Sequence, residues 1–145
     1  MKKVLKHAYG YIRASGKKGV SVEMQKKLIE EWAEKNERNL ISILIDDRDS
    51  SKLPFEERKQ LNHLIRNLII GDILVTFNLS RLSRNHFQAM TVLHEIEEKQ
   101  AYFYSIAEGY DTRTDTGVTT IRLITAAIEF QSRGKNESDE EDSEI

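Results

Sequence analysis

Apolar and polar positions along this chain follow two patterns in turn, one suited to strands and one to helices. Residues 7–14 read as a strand, and residues 21–37 as a helix with Leu28, Ile29, Trp32 and Ala33 on one stripe. Leu40-Ile41-Ser42-Ile43-Leu44-Ile45 is rich in β-branched residues and predicts a second strand, ending at the polar loop Asp46-Asp47-Arg48-Asp49-Ser50-Ser51. The only proline, Pro54, stands where a first helical turn would begin, and Leu61, Leu64, Ile65 and Leu68 continue that helix to about residue 69. After the turn signal Gly71-Asp72, the run Ile73-Leu74-Val75-Thr76-Phe77 is apolar throughout, as in a strand covered on both faces. Asn85 is placed to cap a third helix in which Phe87, Met90, Leu93 and Ile96 are spaced for burial. A fourth strand is expected over 101–107, a polar loop over 108–116 and a last helix over 117–133.

Strands separated by helices of this length predict an α/β fold with a mostly parallel central sheet and helices on both faces. The last helix is apolar on two stripes, Ile121, Ile124 and Ile128 on one and Leu123, Ala127 and Phe130 on the other. Such a helix usually packs against two surfaces, the second being a partner subunit or a broader core.

Length and composition narrow the class. With 145 residues, 39% hydrophobic and 32% charged, the chain has the size of one domain with a heavily charged exterior. No apolar run approaches the ~20 residues of a membrane span. The absence of cysteine excludes disulfides and thiolate metal sites, and the expected location is a cytoplasm. None of the four histidines (His7, His63, His86 and His94) has a partner at metal-ligand spacing, so no metal or other cofactor is expected. The formal net charge of −2 is unevenly spread. Residues 134–145 hold six acids and one lysine, leaving residues 1–133 with 21 basic against 18 acidic groups. The division expected is a catalytic-type domain over 1–133 and an acidic, disordered tail over 134–145.

Candidate chemistry falls on one edge of such a sheet. Ser15 follows the first strand, the 46–51 loop the second, Arg81 and Arg84 the third, and Glu108–Asp115 the fourth. Sites in these folds lie beyond the carboxyl ends of strands. On a strand, Tyr11, Arg13 and Ser15 would share a face, while Arg81 and Arg84 would share one side of a helical turn. A hydroxyl beside fixed guanidinium groups suits attack on a phosphate, where negative charge builds up during reaction.

The chain resembles the catalytic domain of serine recombinases, the resolvase and invertase family, over roughly residues 6–133. The resemblance rests on Tyr11-Ile12-Arg13-Ala14-Ser15, Gly19-Val20-Ser21-Val22-Glu23-Met24-Gln25, Phe55-Glu56-Glu57-Arg58 and Gly71-Asp72-Ile73-Leu74-Val75. It is strengthened by Leu79-Ser80-Arg81-Leu82-Ser83-Arg84 and by Glu108-Gly109-Tyr110-Asp111-Thr112 with Gly117, all in this order. It implies metal-independent DNA cleavage and rejoining through a 5′-phosphoserine at Ser15, with Arg13, Arg58, Arg81 and Arg84 as the phosphate-binding set. Tyr11 and Gln25 match positions that line the site. The resemblance also implies DNA as partner, a homodimer through the long last helix, and a tetramer as the active synaptic complex in a bacterial, phage or mobile-element setting.

Two departures from the family pattern stand out. Ser80 occupies a position where many members carry Asp, and Gln131-Ser132 stands where many carry Glu-Arg. The usual basic DNA-reading module does not follow the last helix within this sequence. These departures define the alternative, a catalytically weakened relative serving dimerisation or regulation. A third reading, an unrelated phosphate-receiving α/β domain, would place the chemistry on Asp46 or Asp47.

Overall fold

The computed structural model describes residues 5–14, 19–46, 58–82 and 86–143. Within them, the side chains of residues 86, 128, 129 and 132–143 are not described. Pro54 and the Asn85 cap lie outside the described residues.

The elements are β1 (His7–Arg13), α1 (Val22–Lys35), β2 (Asn39–Asp46), α2 (Lys59–Arg66) and β3 (Ile73–Thr76). A short 3-10 turn (Leu79–Arg81) then precedes α3 (His86–Glu98), β4 (Tyr102–Ser105), β5 (Tyr110–Asp111) and α4 (Asp115–Ser143). Among the described residues the sheet order is β2-β1-β3-β4-β5. The pairs β1–β2, β1–β3 and β3–β4 are parallel, and β4–β5 is antiparallel. The mostly parallel sheet is therefore as expected, with one addition. The stretch expected to be only a polar loop, 108–116, contains β5. The chain reverses at Gly109, whose φ of 71° is open to glycine at little cost, and Gly109 donates its N–H to the Ser105 carbonyl at 2.9 Å.

Both faces of the sheet are covered. On one, Ile29, Trp32 and Ala33 of α1 pack on Ala8, Ile12, Ile73 and Val75. On the other, Leu61, Leu64 and Ile65 of α2, Val92 and Ile96 of α3 and Ile121 of α4 pack with Tyr11, Leu74 and Phe103. Every residue of β3 is buried, which accounts for its unbroken apolar run. Helix α1 is capped by Ser21, whose hydroxyl accepts from the Met24 N–H at 3.1 Å.

One expected burial differs. Phe87, at the start of α3, is 75% exposed, because the buried face of that helix is the one carrying Ala89, Val92 and Ile96, and Phe87 projects from another side. In α4 the second apolar stripe faces outward, with Leu123 and Phe130 both largely exposed. The helical backbone of α4 begins two residues earlier than expected and runs past 133 to Ser143; its acidic end carries no proline to interrupt it. No described helix is long and apolar enough to cross a membrane.

The start of α4 is fixed on β5. The Thr114 hydroxyl accepts from the Gly117 N–H at 2.9 Å, and the Thr114 amide donates to the Asp111 carbonyl at 3.3 Å. A Cβ on Gly117 would lie 1.7 Å from that same Asp111 carbonyl oxygen, so only glycine permits the approach. Gly117→Ala must push α4 off β5, and backbone atoms cannot yield as a side chain does. The expected loss is about 2–3 kcal/mol, the upper part of the overpacking range, read as a lowered midpoint in urea unfolding.

Asp111 also forms a forked pair with Arg113, at 3.0 Å to Nε and 2.9 Å to Nη2. Burial works against the charged carboxylate, but the Arg113 hydrogen bonds and charge outweigh it and hold the pKa below its ordinary value of 3.8. A depressed folded pKa gives stability above the unfolded value that is lost as pH falls through the folded one. Asp111→Asn is therefore expected to lower stability at neutral pH and to match the parent once pH falls below the folded value. Thermal midpoints measured across an acid series check this.

Candidate active site

The strand order places the carboxyl ends of β1 and β3 at the point where successive connections leave in opposite directions, to β2 on one side and to β3 on the other. In open α/β sheets, ligand sites lie beyond the strand ends at such a switch point. Three arginines from separate segments meet there. Arg13 ends β1, Arg58 immediately precedes α2, and Arg81 ends the 3-10 turn that follows β3; exposures are 2%, 1% and 6%.

Hydrogen bonds knit these segments together. Arg13 donates from Nη2 to the Ser80 carbonyl at 2.8 Å, and Arg81 donates from Nη1 to the Arg13 carbonyl at 3.3 Å. Arg58 donates from Nη2 to the Tyr11 hydroxyl at 2.6 Å and to the Arg81 carbonyl at 2.7 Å, and from Nη1 to the Leu82 carbonyl. Its guanidinium also stands 5.4 Å from the centre of the Tyr11 ring. The Tyr11 hydroxyl in turn donates to Asp46 Oδ2 at 2.7 Å. The order Asp46–Tyr11–Arg58–turn is thus a single chain of donors and acceptors across the ends of β2, β1 and β3. Burial is the main cause of a strongly raised Tyr11 pKa. The Arg58 charge pulls it back, and the bond to Asp46 raises it further, so the phenol remains a neutral donor at any physiological pH.

Gln25, buried in the first half of α1, donates from Nε2 to the Arg13 carbonyl at 3.2 Å and to the Val20 carbonyl at 3.0 Å. It ties the entry to α1 against the end of β1. Tyr11, Arg13, Arg58, Arg81 and Gln25 are therefore brought together, and Tyr11 and Arg13 both reach the side holding the 3-10 turn. Ser15 and Arg84 lie outside the described residues; the described chain after β1 ends at Ala14, whose N–H is bonded to the Asp46 carbonyl at 3.2 Å. Ser80 turns its hydroxyl to Asn78 Oδ1 at 2.8 Å and contributes its main-chain oxygen to Arg13.

Two residues escaped the sequence reading as members of this arrangement. From the sequence, Asp46 is only the start of a polar loop or a phosphate acceptor. Buried and engaged by Tyr11, it is poorly placed for phosphorylation; Asp47 lies outside the described residues. Glu108 belongs by sequence to a polar loop, yet its Oε1 accepts from the Leu79 N–H at 2.8 Å. For Asp46 a signal existed, since an acid closing an apolar strand is a poor continuation of that strand. For Glu108 the signal is its place just after the fourth strand, on the edge where the candidate chemistry falls; its partner on the turn is not readable from sequence.

A family model described as "Resolvase, N terminal domain" matches residues 8–141. The chain belongs to the resolvase family. Relatives include the probable DNA-invertase y4cG of Sinorhizobium fredii, 28% identical over 74 residues, covering 51% of this chain and 24% of that protein. The DNA-invertase hin of Salmonella typhimurium is 27% identical over 88 residues, covering 61% of this chain and 45% of that protein. The transposon Tn552 resolvase of Staphylococcus aureus is 32% identical over 77 residues, covering 52% and 39%. The aligned segments thus span between a quarter and half of these relatives. Among solved structures, the N-terminal catalytic domain of TP901-1 integrase superposes with a TM-score of 0.73 at 22% identity, covering 88% of this chain and 98% of that one. A resolvase family site-specific recombinase from Streptococcus pneumoniae gives 0.71 at 19% identity, covering 94% of each. At these identities the likeness speaks for the fold.

The Asp46–Tyr11–Arg58 relay has a direct test. Tyr11→Phe removes the acceptor of a buried, charge-assisted bond and the donor to Asp46 while keeping the ring. A loss of about 1–3 kcal/mol in unfolding free energy is expected. Adding Asp46→Asn to Tyr11→Phe should cost less than Asp46→Asn alone, because the shared bond is already gone; a double-mutant cycle by urea unfolding measures the coupling.

Proposed function

We propose that this chain is the catalytic part of a site-specific DNA recombinase of the resolvase and invertase type, with Ser15 as nucleophile. The observation that carries the reading is the meeting of Arg13, Arg58 and Arg81 at the switch point into which β1 leads. Family membership supplies the reaction class. In the proposed step the Ser15 oxygen forms a bond to phosphorus and the bond from phosphorus to the 3′-oxygen breaks. The serine proton is lost, the 3′-hydroxyl is regained, and a 5′-phosphoserine remains. Reversal on another 3′-hydroxyl rejoins the strands with no net change in phosphodiester bonds. Arg13, Arg81 and Arg84 are assigned to the phosphate oxygens, where forked donors match the charge that develops. Arg58, with both terminal nitrogens committed to Tyr11 and to the turn, is assigned to holding Arg81 in place. Gln25 and Tyr11 fix the end of β1. No cofactor is required by this scheme.

The partner proposed is DNA, in a bacterial or phage cytoplasm. A homodimer, and a tetramer during strand exchange, would cover the outward stripe of α4 that includes Leu123 and Phe130. With residues 1–133 carrying a small positive excess, affinity for DNA is expected to be weak and salt-dependent unless a reader domain or partner contributes.

Duplexes with a 3′-bridging sulfur trap the adduct, because the thiol that leaves returns poorly. The wild-type chain is expected to form a covalent protein–DNA species on such duplexes, and Ser15→Ala none while keeping its fold. Arg81→Ala should slow adduct formation about 100-fold, the scale of losing one preorganised donor. An adduct of equal yield in Ser15→Ala would remove the reading.

A further inference from the structure

The 3-10 turn that carries Arg81 is short, and its own flanking residue does not cap it. Asn78 stands at the N-cap position without a side-chain bond to the turn's amides; its Oδ1 accepts from the Ser80 hydroxyl. Within the turn, the Arg81 N–H reaches the Asn78 carbonyl at 3.1 Å and the Leu82 N–H reaches the Leu79 carbonyl at 3.0 Å. The Leu79 N–H, which begins the turn, is met from 29 residues away by Glu108. Glu108 is an exposed side chain on the β4–β5 reversal. An exposed glutamate loses rotamer freedom by holding one position, so the bond matters through what it aligns.

What it aligns lies at both ends. On the turn side, the Arg81 and Leu82 carbonyls receive Arg58, and the Ser80 carbonyl receives Arg13. On the hairpin side, the Ile106 N–H is bonded to the Thr76 carbonyl and the Ala107 N–H to the Phe77 carbonyl. The segment carrying Glu108 therefore runs alongside the segment that leads into the turn. Two residues beyond Glu108 begins β5, against whose Asp111 carbonyl Gly117 seats α4.

We propose that Glu108 is a positioning residue, a clamp that sets the Arg81 turn against the β4–β5 hairpin and so couples the site to the base of α4. The inference rests on the recombinase reading for its consequence in catalysis, but the clamp itself is a property of the fold. An acceptor oxygen at this place is what the geometry requires, so glutamine should serve and alanine should not.

The test uses the whole chain in three forms: wild type, Glu108→Ala and Glu108→Gln. Amide hydrogen exchange at Leu79, followed by NMR, should accelerate at least tenfold in Glu108→Ala and stay within about threefold of wild type in Glu108→Gln. On 3′-bridging-sulfur duplexes at saturating DNA, Glu108→Ala should form the Ser15 adduct at least tenfold more slowly, with DNA affinity within about twofold; Glu108→Gln should recover the rate. Unchanged Leu79 exchange in Glu108→Ala overturns the clamp. Accelerated exchange with an unchanged adduct rate overturns its positioning role. Glutamine as impaired as alanine in both readouts also overturns it, since charge rather than acceptor geometry would then be responsible. If wild type forms no adduct, the recombinase reading fails, and the clamp is decided on the Leu79 exchange alone.

Discussion

Everything at the carboxyl edge of this sheet depends on one buried cation. The Arg58 side chain is almost wholly out of solvent, which costs several kcal/mol unless its donors are met. Its two terminal nitrogens are met by the Tyr11 hydroxyl and by two consecutive main-chain carbonyls after β3, and the Tyr11 ring lies beneath the guanidinium; among the described residues Nε has no hydrogen-bond partner. Bonds from a charged donor contribute about 1.5–3 kcal/mol each, which offsets much of the desolvation. A lysine could not do this: its single ammonium has no planar fork to reach a phenol and two carbonyls at once. The requirement also works in reverse. The turn after β3 is a single 3-10 turn, and the guanidinium fixes its far end by taking the Arg81 and Leu82 carbonyls.

Around that constraint the rest of the fold is organised in layers. The two apolar clusters hold the sheet between α1 on one face and α2, α3 and α4 on the other, which fixes where β1 and β3 end. The strand order then puts both ends side by side at the switch point. Tyr11 serves in both layers, its ring in the larger apolar cluster and its oxygen in the polar relay, so packing and site geometry are linked through one side chain.

Much of the layering was legible in the sequence. The alternation of strand and helix, the four main strands and the stripe Leu61, Leu64, Ile65 and Leu68 rest on local periodicity, and the structure has them within a few residues. Tyr11, Arg13, Gln25, Arg58 and Arg81 could be named because they stand in runs resembling the family's, several of them at strand ends where sites of such sheets lie. Less legible were features decided by distant partners. β5 is two residues long and exists because β4 offers an edge, which no window of local sequence contains. Phe87 has the spacing of one apolar stripe, but tertiary packing chose the neighbouring face of Ala89, Val92 and Ile96. The roles of Asp46 and Glu108 depend on contacts 35 and 29 residues away. Arg58, matched to a phosphate-binding set, proves to spend its terminal nitrogens on the protein's own oxygens.

The span of the relay along the chain has a further consequence. Its members come from positions 11, 46, 58 and 81–82, and the turn is finished by a side chain at 108. β1 gains both its neighbours once β3 has paired, but the turn lacks its last acceptor until β4 has docked on β3 and carried Glu108 into place. A nascent chain released before residue 108 would thus carry the three arginines without the frame that holds the last of them.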